Sequence, residues 1–258
     1  MTDTAEKARA FAALHSAPEI LRVVNVWDVA SAKVISDLPG TRALATAGHS
    51  IAASHGYADG EQIPLDLMIA AIARITAATD KPVSTDLDSG YGHPGETTRR
   101  AIGAGAVGAN VEDAMKPLDE SVAAVRAIIA AGEAEGVPFV LNARTDALIK
   151  GGKRPIEEGI ADAIERGRAY LAEGATTVFV PGILNADVTR QLVDGIGERK
   201  VSVIGLPGAL SAPEYEALGV ARISYGPMTQ RVALTALKHV ALDLMNGGVI
   251  PADTEALN

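Results

Sequence analysis

Short β-branched runs alternate with segments of helical period eight times along the 258 residues of this chain. The runs are 21–28, 42–48, 82–88 and 107–113, followed by 139–146, 176–182, 201–208 and 221–227. Between them lie stretches such as PLDLMIAAIARITAAT (64–79) and IEEGIADAIERGRAYLAEG (156–174), whose apolar residues recur every three to four positions. Several of these close on Gly just before the next run, as helix C-termini do. Strand and helix joined by short links demand parallel strands with right-handed crossovers. Eight such units favour an α/β fold of the closed (β/α)₈ TIM-barrel type, with an open doubly wound sheet as the alternative. No linker or low-complexity stretch divides the chain, so residues 1–258 read as a single domain.

Aromatic residues make up only 3% of the chain against 48% apolar in all, so Ala, Val, Ile and Leu must fill the core. Small side chains let helices lie close against a sheet. A net charge of −9 without a Lys/Arg run argues against a nucleic-acid partner. With no cysteine there is no disulfide, thiolate metal site or Cys nucleophile. The N-terminal segment 1–19 is charged throughout and lacks a secretory signal's apolar core. No stretch approaches the roughly 20 apolar residues that span a bilayer. The expectation is a cytoplasmic protein with no membrane partner.

In parallel barrels chemistry sits at the C-terminal strand ends, and here those ends are polar on one side. The third run ends in Asp86 and Asp88, the fourth in Glu112 and Asp113, the fifth in Arg144 and Asp146. Side chains two apart on a strand share a face, so Asp86 and Asp88 are expected to point together, and likewise Arg144 and Asp146. Of Glu112 and Asp113, only one can face the barrel axis. Converging carboxylates repel one another unless a cation intervenes. A hard ion such as Mg²⁺ suits oxygen donors and keeps its waters, whereas zinc would call for His or Cys. Taken singly, each acid could equally be a helix cap; three at neighbouring strand ends, followed by an arginine, favour a site.

The segments AGHSIAASHGYAD (47–59), DLDSGYG (86–92), NVED (110–113) and NARTDAL (142–148), in this order on successive strands, resemble the isocitrate lyase/phosphoenolpyruvate mutase superfamily. The resemblance runs from about Val24 to Ala175 and more weakly to the end. It implies a lyase acting on a small 2-oxo or 2-hydroxy carboxylic acid through a pyruvate-like enolate. It further implies Mg²⁺ (or Mn²⁺) held by Asp86, Asp88 and Glu112, with Asp59 close to the ion. A substrate-carboxylate loop at Ala47, Gly48 and His49, and substrate contact by Arg144, follow from the same matches. Members form homo-oligomers, dimers or tetramers, in which paired subunits exchange the last helix, here beginning near Met228. The family's Lys-Lys-Cys-Gly-His loop after the strand-four acid has no counterpart: Glu112-Asp113 runs through AMKPLDESVAAVRAI into a helix. His49 or His93 could stand in for that cysteine as proton donor, since imidazole titrates near neutrality. The implied catalytic residues are Arg144, His49 and Asp59. A reaction needing only metal, enolate stabilisation and a carboxylate pocket remains, such as oxaloacetate decarboxylation. Carbon–phosphorus chemistry, (methyl)isocitrate cleavage, sugar-phosphate processing and a non-catalytic metabolite-binding barrel are the alternatives.

Overall fold

The computed structural model describes residues 3–257; Met1, Thr2 and Asn258, which the single-domain reading includes, lie outside the described residues. Helix α1 (Thr4–His15) precedes the first strand, which is broken at Val24 into β1 (Leu21–Val23) and β2 (Asn25–Val26). There follow α2 (Val29–Ser36), β3 (Leu44–Thr46), α3 (Gly48–Ser54), α4 (Leu65–Ala77), β4 (Val83–Asp86) and α5 (Pro94–Gly103). Next come β5 (Gly108–Glu112), α6 (Leu118–Ala134), β6 (Val140–Arg144), α7 (Ile156–Ala172), β7 (Thr177–Phe179) and α8 (Ala186–Ile196). The chain closes with β8 (Val201–Ile204), α9 (Ala212–Ala217), β9 (Arg222–Ser224) and α10 (Met228–Met245).

All neighbouring strands are parallel, in the order β1-β9-β8-β7-β6-β5-β4-β3-β2. Because β1 and β2 are two halves of one strand, the first pairing with β9 and the second with β3, the sheet closes on itself. The expected (β/α)₈ barrel is therefore the observed architecture. The break has a visible cause in Asn25. Its Oδ1 accepts from the Tyr225 and Gly226 amides (2.7 and 2.8 Å), and its Nδ2 donates to the Thr46 carbonyl at 2.9 Å. One side chain thus satisfies backbone groups on both neighbouring strands.

The observed strands are shorter than the eight runs, since the polar ends belong to loops. Asp88 and Asp146, expected on strands, lie beyond β4 and β6. Helices end as anticipated; after α7, for example, Gly174 turns at φ +99°, a left-handed conformation that costs other residues a clash. The apolar core lies between strands and helices, with Ile51, Met68, Ile72 and Ile75 fully buried beneath α3 and α4. The barrel lumen is polar. Asn142 donates to Asn110 Oδ1 (2.7 Å) and Ser202 Oγ (3.2 Å) and accepts from Thr177 Oγ1 (2.7 Å). Phe11 of α1 is buried against Gly108 and lies 5.9 Å from the buried Arg222 guanidinium. No helix among the described residues is long and apolar enough to cross a membrane.

Candidate active site at the barrel mouth

Asp86, the last residue of β4, is fixed from two sides. Its amide donates to Thr46 Oγ1 at 3.0 Å, and its Oδ2 accepts from the Gly48 amide at 3.0 Å. The chain then dips through Leu87, fully buried, and rises into Asp88 at φ +48°. Here the Asp88 carbonyl accepts from the Glu112 amide at 2.7 Å, which ties the turn to β5. A Cβ on Gly48 would stand 3.2 Å from Asp86 Oδ2 and 3.5 Å from Asp88 Oδ1. The two carboxylates therefore bracket one backbone position, as expected, but by way of a turn rather than a shared strand face.

Glu112, at the end of β5, faces the mouth. Its oxygens meet Arg144 Nη1 at 2.8 Å and Lys150 Nζ at 3.0 Å. Arg144 Nε also bonds Asp146 Oδ1 at 2.7 Å, while Lys150 Nζ lies 2.6 Å from Asp146 Oδ2. Asp113 points the other way, into a buried cluster. It accepts from Tyr170 Oη (2.8 Å), Arg166 Nη1 (3.2 Å) and the Met115 and Asp146 amides (3.0 and 3.1 Å). That network locks the ends of β5 and β6 to α7, and it answers which of the adjacent acids reaches the axis.

The charge balance is uneven around this mouth. Burial raises the proton affinity of Asp86, only partly offset by the Gly48 amide and Arg144. Asp88 is pushed up to about 8, first by burial and then by the negative charges of Asp86, Asp59, Glu112 and Glu61. Glu112 is also raised by burial, against the pull of Arg144 and Lys150. Arg144 stays firmly charged: burial opposes it, but Glu112, Asp146 and Asp86 outweigh burial. The acids thus crowd at Asp86 and Asp88, and among the described residues neither forms an ion pair with a cationic side chain.

Among the described residues no three His, Cys, Asp or Glu side chains are arranged to hold a metal ion by themselves. A hard cation that keeps its waters does not need them; one or two carboxylates suffice. Two half-buried carboxylates that converge on a glycine, with proton affinities raised by burial and, at Asp88, by neighbouring acids, fit such an ion. Glu112, committed to two cations, stands apart as a neighbour rather than an equal member of the pair.

These residues open onto a cavity of about 410 Å³. Of the residues singled out from sequence, Asp86, Asp88, Glu112, Arg144, His49 and Asp59 all line it. His49 Nδ1 lies 3.3 Å from Asp59 Oδ2, both partly exposed. Ala47 and Gly48 are buried and do not line the cavity; they lead into α3. His93 stands at the position before α5, without a side-chain capping bond, and is likewise absent from the lining. Sequence reasoning did not single out Lys150, Arg231, Asn25 or Phe179, which complete the wall. The spacing Asp146-x-x-x-Lys150 was the available signal for the lysine. Arg231 carried none, because α10 looks in sequence like any outer helix.

A closed parallel barrel with an acid pair, an arginine and a histidine lining one cavity at its mouth is the arrangement of a barrel enzyme. The family model described as phosphoenolpyruvate phosphomutase matches residues 11–245. The chain belongs to that family, within the isocitrate lyase/PEP mutase superfamily, whose members are metal-dependent lyases. The chain is 28% identical over 261 residues to a probable 2-methylisocitrate lyase of Corynebacterium glutamicum, covering 95% of this chain and 82% of that protein. It is 28% identical over 255 residues to an oxaloacetate decarboxylase of Paraburkholderia xenovorans, covering 90% and 80%. A crystal structure of a phosphonomutase candidate from Burkholderia cenocepacia superposes with a TM-score of 0.86 at 38% identity, over 95% of this chain and 100% of that one. The resemblance read from the four sequence motifs and the family found by comparison are the same.

Proposed function

We propose that this protein is a Mg²⁺-dependent lyase, with Mn²⁺ an effective substitute, that breaks a carbon–carbon bond beside the keto group of a small 2-oxo acid. Decarboxylation of oxaloacetate to pyruvate is the simplest such reaction. The observation that carries the reading is the convergence of Asp86 and Asp88 on Gly48, in a cavity that Arg144 also lines. The relative named an oxaloacetate decarboxylase supports the choice of substrate class.

Breaking the bond sends its electron pair toward the former carbonyl oxygen, and CO₂ departs. A divalent cation held by Asp86 and Asp88, with Glu112 nearby, would supply positive charge for that oxygen. The guanidinium of Arg144 is fixed in plane by Asp146 and Glu112, which occupy its Nε and Nη1. Its remaining N–H groups are left for a substrate carboxylate or the developing enolate, and a pre-set donor costs no reorganisation during reaction. We place the substrate carboxylate against the turn at Ala47, Gly48 and His49, of which His49 lines the cavity. We assign His49 as the proton donor to the carbon that loses CO₂, with Asp59 beside Nδ1 orienting the ring. The new C–H bond completes pyruvate, and the imidazole regains its proton from water.

Methylisocitrate-type cleavage, which one relative's name suggests, is less well supported. Residues 113–117 pass directly into α6, and the chain has no cysteine to protonate a product. The test is to strip metal with chelator, add Mg²⁺ or Mn²⁺ back, and follow pyruvate release from a panel of 2-oxo acids. Pyruvate formation from oxaloacetate that vanishes on chelation and returns with either ion is expected. Metal-independent turnover, or ligand binding without product, would overturn the assignment.

The working unit we infer is a homo-oligomer built from pairs that exchange α10. Of this 18-residue helix only Gln230 is buried, while Val232, Leu234, Leu237 and Met245 are exposed. Beside its origin lies an apolar groove of about 600 Å³ walled by Trp27, Val34, Ile35, Tyr225 and Met228. An uncovered apolar groove next to an uncovered apolar helix is what reciprocal exchange would resolve.

A further inference from the structure

Glu61 is a carboxylate close to the acid pair but outside the cavity lining. It lies in the link between α3 and α4, two residues beyond Asp59, and adopts φ +62°. A single oxygen, Oε1, accepts from the Ser89 amide (3.0 Å), the Ser89 hydroxyl (2.8 Å) and the Tyr91 amide (2.7 Å). These donors form the turn that follows Asp88. The turn is not one the chain would hold unaided, since Asp88 and Tyr91 both sit at positive φ (+48° and +52°) without being glycine. Bonds from a charged acceptor are about twice as strong as neutral ones, and three on one atom select a single turn geometry. Tyr91 Oη then reaches back toward Asp88 Oδ2 at 3.4 Å.

We propose that Glu61 is a positioning residue: it clamps the Ser89–Tyr91 turn and so sets the place of Asp88 relative to Asp86. This rests on the metal-site reading of the acid pair. The clamp ties together the two loops that bring acids to the mouth, one carrying Asp59 and the other Asp88. It also gives Glu61 a role distinct from ligation, because the oxygen nearest the turn is already saturated with backbone and hydroxyl donors. A loop acid free to swing would bind a cation weakly, as it would first have to be ordered.

Two measurements on the full-length protein separate the parts of this inference. Hydrogen–deuterium exchange of the Ser89 and Tyr91 amides reports the clamp without any metal. In Glu61→Ala those amides should exchange at least tenfold faster, with the strands of the barrel unchanged; Glu61→Gln, which keeps a carbonyl acceptor, should fall between. Unchanged exchange in Glu61→Ala would overturn the clamp, as would a uniform rise across the barrel. Mn²⁺ titration followed by electron paramagnetic resonance reports the consequence. Glu61→Ala should bind Mn²⁺ at least tenfold more weakly, with Glu61→Gln recovering most of the loss. Wild-type affinity in Glu61→Ala would refute the link from clamp to acid pair. Should the wild type itself bind no Mn²⁺, the metal-site reading fails, while the exchange data still decide the clamp.

Discussion

Gly48→Ala isolates the acid pair from the rest of the fold. The backbone at Gly48 has no positive φ, and the residue opens a helix, so alanine is compatible there and its amide can still donate to Asp86. On backbone grounds alone, the change should be neutral or stabilising by about 0.4–1 kcal/mol. The added methyl, however, would stand 3.2 Å from Asp86 Oδ2, 3.3 Å from its Cγ and 3.5 Å from Asp88 Oδ1. Ordinary carbon contacts lie near 3.5–4.0 Å, so Asp86 must retreat by a few tenths of an ångström. It cannot do so freely, since the same oxygen is held by the Gly48 amide at 3.0 Å. Misplacement of a catalytic group by roughly 1 Å can cost about 100-fold in rate; a shift of a third of that size, scaled in proportion in free energy, should cost about fivefold. The expected outcome is therefore a protein as stable as wild type by thermal unfolding, with Mn²⁺ affinity and oxaloacetate turnover each reduced about fivefold. Wild-type binding and turnover in a folded Gly48→Ala would refute the reasoning. It would mean that the two carboxylates do not act through the geometry they share around this glycine.

Arg144→Ala should both inactivate and destabilise. It leaves Asp146, fully buried, with Lys150 as its remaining cation, a loss of about 3 kcal/mol by denaturant unfolding; Arg144→Lys should keep much of the stability while losing roughly 100-fold in kcat/KM. Buried His15 has its pKa lowered to about 3, first by burial and then by Arg222. The unfolded chain therefore takes up a proton near pH 6.5 that the folded chain refuses. Above that pH the residue is neutral in both states and contributes no slope; as pH falls toward 3 it costs about 1.4 kcal/mol per unit. His15→Gln should flatten the acid limb of a stability–pH curve by this amount, and superimposable limbs would exclude His15 as the cause. Leu234→Asp combined with Leu237→Asp should convert an oligomer into a folded monomer by light scattering; a monomeric wild type would refute the exchange of α10.

The chain exposes its fold more openly than its site, for a physical reason. Barrel units are written locally: apolar period within each helix, β-branched runs within each strand, and Gly where a helix must stop. Each is legible over a dozen residues, and eight in a row favour the closed barrel over an open sheet. Asp86, Asp88, Glu112 and Arg144 were legible because a parallel barrel gathers its strand ends, so linear order becomes spatial convergence. What the alternation rule could not provide was the route. Asp86 and Asp88 meet through a left-handed turn, not along a strand, and the clamp that holds that turn comes from Glu61, 28 residues from Ser89 in the chain. No periodicity encodes a contact of that separation.

The same limit applies to the lumen. Asn110, Asn142, Thr177 and Ser202 sit at positions that alternation marks as inward, where apolar residues would ordinarily be expected. Their bonds meet at Asn142 and join the four strands β5 to β8, so polar groups stay buried with partners. Arg222 lies in the same interior and is the exception. It is fully buried, with Nε and Nη2 unpartnered and only a long contact to Ser84 Oγ at 3.4 Å. Burial lowers its pKa to about 10, with the charge of Asp86 opposing the fall. A guanidinium so placed is still charged at neutral pH, and its counter-charge lies in the acids above it. The mouth's acidic surplus is thus partly answered from beneath. A barrel filled with Leu and Ile would pack as well, but it would leave Asp86 facing a medium that offers its charge no support. Polar lumen and acidic mouth are in this sense one design, and a sequence reading that scores inward positions only for hydrophobicity separates them.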